Sequence, residues 1–164
     1  MEAFRFIVDH NVGKMAKWLR MMGYDTLFFK SGDDSNMVAI ALAQGRIILT
    51  RDGGIIQRRL VARGRLRAIL IEGDRVEDQM KQVVNTLGLD IHFNPFSICL
   101  ECNQPLVERS RQQVWDRVPP YVSQTQQQYM ECPACGRIYW RGTHWQAMTE
   151  KLEKLLDKPR QEAD

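Results

Sequence analysis

The sequence predicts an α/β protein: a parallel sheet sandwiched by helices, followed by a small metal-stapled ribbon and a last helix. Three observations predict it. Over the first 92 residues, short runs of β-branched and apolar residues alternate with amphipathic stretches. Those runs are apolar throughout rather than at every second residue, the pattern of strands buried on both faces. Beyond residue 95, two Cys-x-x-Cys pairs, Cys99/Cys102 and Cys132/Cys135, offer four sulfurs and leave no cysteine over.

The elements follow in order. Phe4-Arg5-Phe6-Ile7-Val8 reads as a strand, and Val12 to Met22 as a helix with Met15, Trp18, Leu19 and Met22 at helical spacing, closed by Gly23. Thr26-Leu27-Phe28-Phe29 is a second strand, and Ser35 to Ala43 a second helix ending at Gly45. Arg46 to Thr50 is a third strand, Ile55 to Ala62 a third helix, and Ala68 to Ile71 a fourth strand. Val76, Met80, Val83, Val84 and Leu87 trace one face of a fourth helix that stops at Gly88. The pattern breaks around Asn94-Pro95-Phe96. Val107 to Tyr129, polar and carrying Pro119-Pro120 and several glutamines, reads as an extended or loop-rich segment. From His144, Ala147, Met148, Leu152, Leu155 and Leu156 make a last amphipathic helix, and the tail after Lys158 is polar. The expected division is a first domain over 1–93, a ribbon with its helix over 94–158, and a flexible tail over 159–164.

Each cysteine pair is a short knuckle, and two knuckles complete a tetrahedral tetrathiolate zinc site. Cys132-Pro133-Ala134-Cys135-Gly136 has a proline that fixes one φ and a glycine that permits the turn after the last ligand. The 29 residues between the pairs leave room for ribbon strands. Two disulfides are the competing reading. They need an oxidising compartment, and MEAFRFIVDH has no long apolar stretch of the signal-peptide kind. No window approaches a membrane span, so a soluble cytoplasmic protein is the expectation.

Net charge is +3, and its excess falls entirely in residues 1–92, with 14 basic against 11 acidic side chains. Arg58, Arg59, Arg63, Arg65 and Arg67 crowd together there, compatible with a polyanionic partner and equally with a solvated helix face. Acidic residues follow every strand: Asp9, then Asp33 and Asp34, then Asp52, then Glu72 and Asp74. Ligands of a parallel sheet gather at the carboxyl ends of its strands. Carboxylates converging there repel unless a cation joins them, which points to magnesium or manganese. Each aspartate also has a plainer reading. Asp33 and Asp34 stand where a helix N-cap belongs, and Asp52-Gly53-Gly54 is a turn signal. Lys14, Lys17, Arg20 and Arg51 can contact phosphates or be solvated. His10 can assist Asp9 or be a surface histidine. Trp18 fits the core. Tyr139 to Trp145 can stack on unpaired bases or wedge the ribbon against the first domain.

Taken jointly, these motifs resemble the PIN-like ribonuclease domain found at the C-terminus of Mut-seven-type exonucleases and as a stand-alone prokaryotic protein. The resemblance rests on Val8-Asp9, Gly13-Lys14-Met15-Ala16-Lys17-Trp18-Leu19-Arg20, Gly23-Tyr24-Asp25-Thr26, Asp33-Asp34, Ile48-Leu49-Thr50-Arg51-Asp52, both knuckles, Tyr139-Trp140 and Gly142-Thr143-His144-Trp145. It implies a PIN-like sandwich whose acidic cluster binds magnesium or manganese for RNA cleavage, with a structural zinc ribbon behind it. By position, Asp9, Asp34 and Asp52 become the metal ligands, with Asp33 a substitute for Asp34. Lys14, Arg20 and Arg51 become contacts for the phosphates of single-stranded RNA. Gly53-Gly54 departs from the family, which often carries a basic and then an apolar residue there. The expected function is a metal-dependent ribonuclease whose ribbon aids binding of RNA, a protein or the ribosome. The rivals are an RNA- or ribosome-binding module with little catalysis and a PIN-type toxin of a toxin–antitoxin pair.

Overall fold

A computed structural model describes residues 3–30 and 32–157; the expected tail over 159–164 and the side chains of Thr143 and Leu155 lie outside the described residues. Four parallel strands, β1 (Phe6–Asp9), β2 (Thr26–Phe29), β3 (Ile47–Thr50) and β4 (Ala68–Leu70), form one sheet in the order β2-β1-β3-β4. Alternate residues of β1 point to opposite faces, so Phe6 and Val8 enter one apolar core and Ile7 the other. The first core takes Met15, Trp18 and Leu19 of α1 (Lys14–Met21) and Met80, Val83 and Val84 of α5 (Val76–Leu87). The second takes Met37, Val38 and Ala41 of α2 (Asp34–Gln44). Both faces are thus covered, as continuous apolar strands require.

The expected helix over 55–62 is two single turns, α3 (Gly53–Ile56) and α4 (Arg59–Ala62), split where Arg58 takes an extended ψ of 147°. The break is compatible with burial: Ile55 is enclosed in the second core, and Leu60 and Val61 pack against that core.

The segment expected to be loop-rich is also more ordered than its polarity suggests. It holds β5 (Val107–Arg109), α6 (Arg111–Val114), α7 (Pro120–Thr125) and β6 (Tyr129–Glu131), and β6 pairs antiparallel with β5 and with β7 (Ile138–Tyr139). Ser110 and Gln113 form a reciprocal capping box that starts α6, and Pro120 opens α7, where a missing N–H costs nothing. Val114, Val118, Val122 and Tyr129 then close a small core of their own.

The last helix, α8 (Thr143–Asp157), does not stay with the ribbon. Its Met148 and Leu152 join the first core beside α1 and α5. The connecting segment is pinned on the way: Asn94 N–H donates to Met22 O at 2.9 Å, over Gly23. Gly23 has φ +98°, and any Cβ there would collide with the Asn94 carbonyl. Among the described residues no helix is long and apolar enough to cross a membrane. Because Leu152 is only 1% exposed, Leu152→Ala is expected to cost about 2–5 kcal/mol in urea unfolding, the usual range for a buried leucine. A loss well below that would mean α8 is not part of the core.

Candidate functional site

From β1 the chain crosses by α1 on one face to β2, then returns by α2 on the other face to β3. The chain leaves β1 toward β2 and leaves β3 in the opposite direction toward β4, and this reversal opens a crevice at the carboxyl ends of β1 and β3. Asp9 is the last residue of β1, and Asp52 lies two residues beyond β3.

Asp9 is buried, and both of its carboxylate oxygens are hydrogen-bonded, with Oδ2 keeping a free lone pair. Oδ1 accepts from the His10 backbone N–H at 2.8 Å and lies 2.9 Å from His10 Nδ1, while Oδ2 accepts from Thr50 Oγ1 at 2.8 Å. The same Thr50 hydroxyl accepts from Asp52 N–H at 3.0 Å. Thr50 therefore links the two aspartates. Its position at the end of the neighbouring strand was readable in the sequence, but its partner lies 41 residues away and was not. His10, left open between site and surface, closes over Asp9 with its ring largely exposed.

Asp52 caps α3, accepting from Gly54 N–H at 2.8 Å, and Asp33 caps α2, accepting from Asn36 N–H at 2.9 Å. The turn signal at Asp52 thus proves to be a helix cap, and the cap reading holds for Asp33, which spends an oxygen on its helix, but not for Asp34, the first residue of α2. Asp34, one residue on, is the carboxylate that feels the others. Burial, then the Asp52 carboxylate beside it, and more weakly Asp9, hold the Asp34 carboxyl above its ordinary value, against the pull of Arg58.

The basic candidates divide. Arg20 is buried, with Nε donating to Thr26 O at 3.0 Å and Nη1 to Leu100 O at 2.7 Å. That corrects its expected contact with RNA phosphate: the guanidinium faces inward and braces the fold. Arg51 donates to Asp74 Oδ1 at 2.8 Å, an exposed pair of little strength. Lys17 pairs with Glu101 at 2.9 Å. Lys14 is exposed at the start of α1, with no ion pair among the described residues.

Among the described residues, only the four cysteines already stand in metal-holding geometry, all four sulfurs within 4.8 Å of one another. Cys99 Sγ and Cys135 Sγ are 3.8 Å apart, against about 3.8 Å between sulfurs around a tetrahedral zinc with Zn–S bonds of about 2.3 Å. All four cysteines are unbridged, and their sulfurs stand as one tetrad rather than as two bonded pairs, which favours a metal over disulfides. The residue after each second cysteine is left-handed, Asn103 at φ 59° and Gly136 at φ 77°, turning each knuckle. Tyr139 Oη sits 3.2 Å from Cys99 Sγ and accepts from Leu100 N–H, and burial followed by that sulfur raises its pKa. Hydrogen bonding to Cys135 pushes the Cys102 thiol up to about 12, while the Arg137 backbone N–H lowers Cys135 to about 6. Four sulfurs so placed do not ionise together without a cation. The donor set fits zinc.

A model of the Mut7-C RNAse domain matches residues 4–152. The chain belongs to that family. No match is found among the curated proteins or the solved structures. Membership of the Mut7-C family brings a nuclease or RNA-related role to this Mut7-C domain. The aromatic stretch near its end packs inward: Trp145 stacks on Phe96 at 3.9 Å, and Arg141 lies over the same ring. These residues edge a cavity of about 290 Å³ with Met21, Ile91 and Leu152, and the cavity contains none of the crevice aspartates.

Two outcomes follow from this geometry. The purified Mut7-C protein should carry roughly one zinc per chain, with its thiols unreactive until a strong chelator is added; Cys132→Ser should lose the metal and melt at lower temperature. For Asp34, the folded pKa lies above the unfolded one, so the linked stability is present below the ordinary carboxylate range and lost as pH rises through the folded value. Asp34→Asn should therefore raise Tm at pH 7, and the gain should vanish below about pH 4.

Proposed function

We propose that the crevice is the active site of a metal-dependent ribonuclease acting on single-stranded RNA. What supports this reading is that Asp9 ends β1, Asp52 follows β3 and Asp34 opens α2, and that burial, then the Asp52 charge and more weakly Asp9, hold the Asp34 carboxyl above its ordinary value. All three offer carboxylate oxygens, the donors that magnesium and manganese prefer, so the residues present fit such an ion. When bound, a divalent ion supplies Lewis acidity toward phosphodiester oxygens and lowers the pKa of water. The chain's own groups do the rest. Thr50 and His10 fix the rotamer of Asp9, and the cap to Gly54 fixes Asp52, so two of the three carboxylates are oriented in advance. Asp33 remains the substitute ligand if its cap opens. Lys14 offers a positive charge to phosphate, and Arg51 does so on leaving its weak pair with Asp74.

On this reading residues 1–93 carry the chemistry, and residues 94–158 are a zinc-stapled support in a reducing, cytoplasmic setting that suits four free thiols. Trp115 and Tyr121 are 54% and 68% exposed on the ribbon, a surface on which a protein or ribosome partner would dock. That feature favours the second reading, an RNA- or ribosome-binding module without catalysis.

The experiment is cleavage of a labelled single-stranded RNA with manganese, by wild type and by Asp52→Asn. Asparagine keeps the helix cap and removes the charge, so fold and zinc content should survive. Cleavage should require manganese and fall at least about a hundredfold in the variant, beyond the 10–100-fold typical of groups that only support metal ligands. Equal cleavage by both proteins would sink the assignment of the crevice. Binding without cleavage by either would establish the binding module.

A further inference from the structure

In the first 92 residues the arginines fall into two sets. Arg5 and Arg46 pair with Asp25, Arg51 with Asp74 and Arg75 with Glu77, while Arg20 is saturated by carbonyl oxygens. Arg58, Arg59, Arg63, Arg65 and Arg67 have no acidic partner among the described residues, and all but the half-buried Arg58 are exposed. Arginines clustered without acidic partners make a local positive patch that attracts an outside anion.

The break between α3 and α4 gives this cluster a direction. At that break Arg58 turns toward the start of α2, and its Nη1 donates to Ser35 Oγ at 3.2 Å, one residue from Asp34. That bond occupies one of five guanidinium donors, and the others are open to a phosphate. Its charge also reaches the Asp34 carboxylate. Beyond α4 the chain runs back to the start of β4, so Arg63 and Arg65 lie progressively farther from the crevice. Arg67 directly precedes β4, at the opposite edge of the sheet.

The ribbon offers no comparable track. Arg109 and Arg117 both bind Glu131, Arg137 is held by the Cys135 sulfur, Arg111 donates to Gln126 O, and Arg141 covers Phe96. Its arginines are committed to its own fold.

We propose that the α4 turn, not the ribbon, is the RNA track of this protein: Arg58 holds the phosphate adjoining the scissile one, and Arg59, Arg63 and Arg65 hold the flanking phosphates. The proposal rests on the nuclease reading of the crevice for its orientation, but binding tests it separately. Single-stranded RNA binding is measured in the Asp52→Asn background across a range of salt, and cleavage in the wild-type background.

Replacing Arg59, Arg63 and Arg65 together by glutamine should weaken binding and flatten the slope of log K against log salt by about 0.7 for each phosphate no longer neutralised, roughly two units in all. Arg58→Gln should lower kcat as well as raise KM. Arg58→Lys should restore only part, because a point charge lacks the bidentate fork. Replacing Arg111 and Arg141 on the ribbon by glutamine should leave binding unchanged. The affected side chains are exposed or half-exposed, and thermal melts establish that each variant is folded.

A triple variant with unchanged affinity and salt slope overturns the track, as does loss of binding in the ribbon variant alone. Cleavage by wild type with an unaffected triple variant overturns the track and leaves the nuclease reading standing. Absence of cleavage together with lost binding in the triple variant does the reverse.

Discussion

The position of β1 governs this molecule. It lies inside the sheet, with β2 and β3 on either side reached by crossovers on opposite faces. Parallel strands with both faces covered must be apolar along their length, so their polar chemistry is confined to the ends. Asp9 and Thr50 meet this constraint directly: each ends its strand, and each is buried yet hydrogen-bonded. A buried carboxylate without such partners would cost several kcal/mol, on the order of a domain's whole stability. The Asp9–Thr50–Asp52 link removes that penalty while leaving the arrangement negatively charged.

The opposite edge of the sheet is closed by the first cysteine knuckle. Thr26 N–H donates to Asn103 Oδ1, Thr26 O accepts from Arg20, and Arg20 also donates to Leu100 O. Asp25 joins Asn103, Arg46 and Arg5 in the same network, and these partners outweigh its desolvation, so its carboxyl lies below the ordinary value. The knuckle and Arg20 therefore satisfy Thr26, the first residue of β2, on the edge that the sheet leaves unpaired. Leu100 from the knuckle and Met148 and Leu152 from α8 enter the same apolar core as α1. The metal-stapled module supports the sheet from behind the site.

How much of this was legible followed from the range of each interaction. The four strands of the parallel sheet and the long helices could be read from local apolar patterning, whereas the three short ribbon strands could not. The two turns of α6 and α7 were legible too, in the Ser110–Gln113 spacing and in Pro120, but the polarity of the surrounding segment hid them. The break at Arg58 was not legible, since Ile55, Leu60 and Val61 suit one continuous helix equally well. Arg20 was misjudged for a different reason. Its charge suggested phosphate, and the carbonyl that satisfies it belongs to Leu100, 80 residues away. Thr50 escaped notice likewise, since its partner Asp9 is 41 residues distant. Sequence patterns report on neighbours along the chain, whereas the site is made by neighbours across it.

The arrangement of charge supplies the last step. Outside the α4 turn most arginines of the first 92 residues pair with an acid, whereas Asp34 and Asp52 at the crevice and the arginines of the α4 turn make no ion pair among the described residues. If pairing alone were favoured, these opposite charges would close on each other. Caps and hydrogen bonds prevent it, holding Asp52 on Gly54, Asp9 on Thr50 and Arg58 on Ser35. Each such bond contributes only about 1 kcal/mol, yet together they keep two signs apart on one surface. A polyanion meeting that surface is attracted along the arginines and repelled at the aspartates. Only a cation shared between phosphate and carboxylate removes the repulsion. On the proposed reading, this separation selects RNA together with a divalent ion over either one alone.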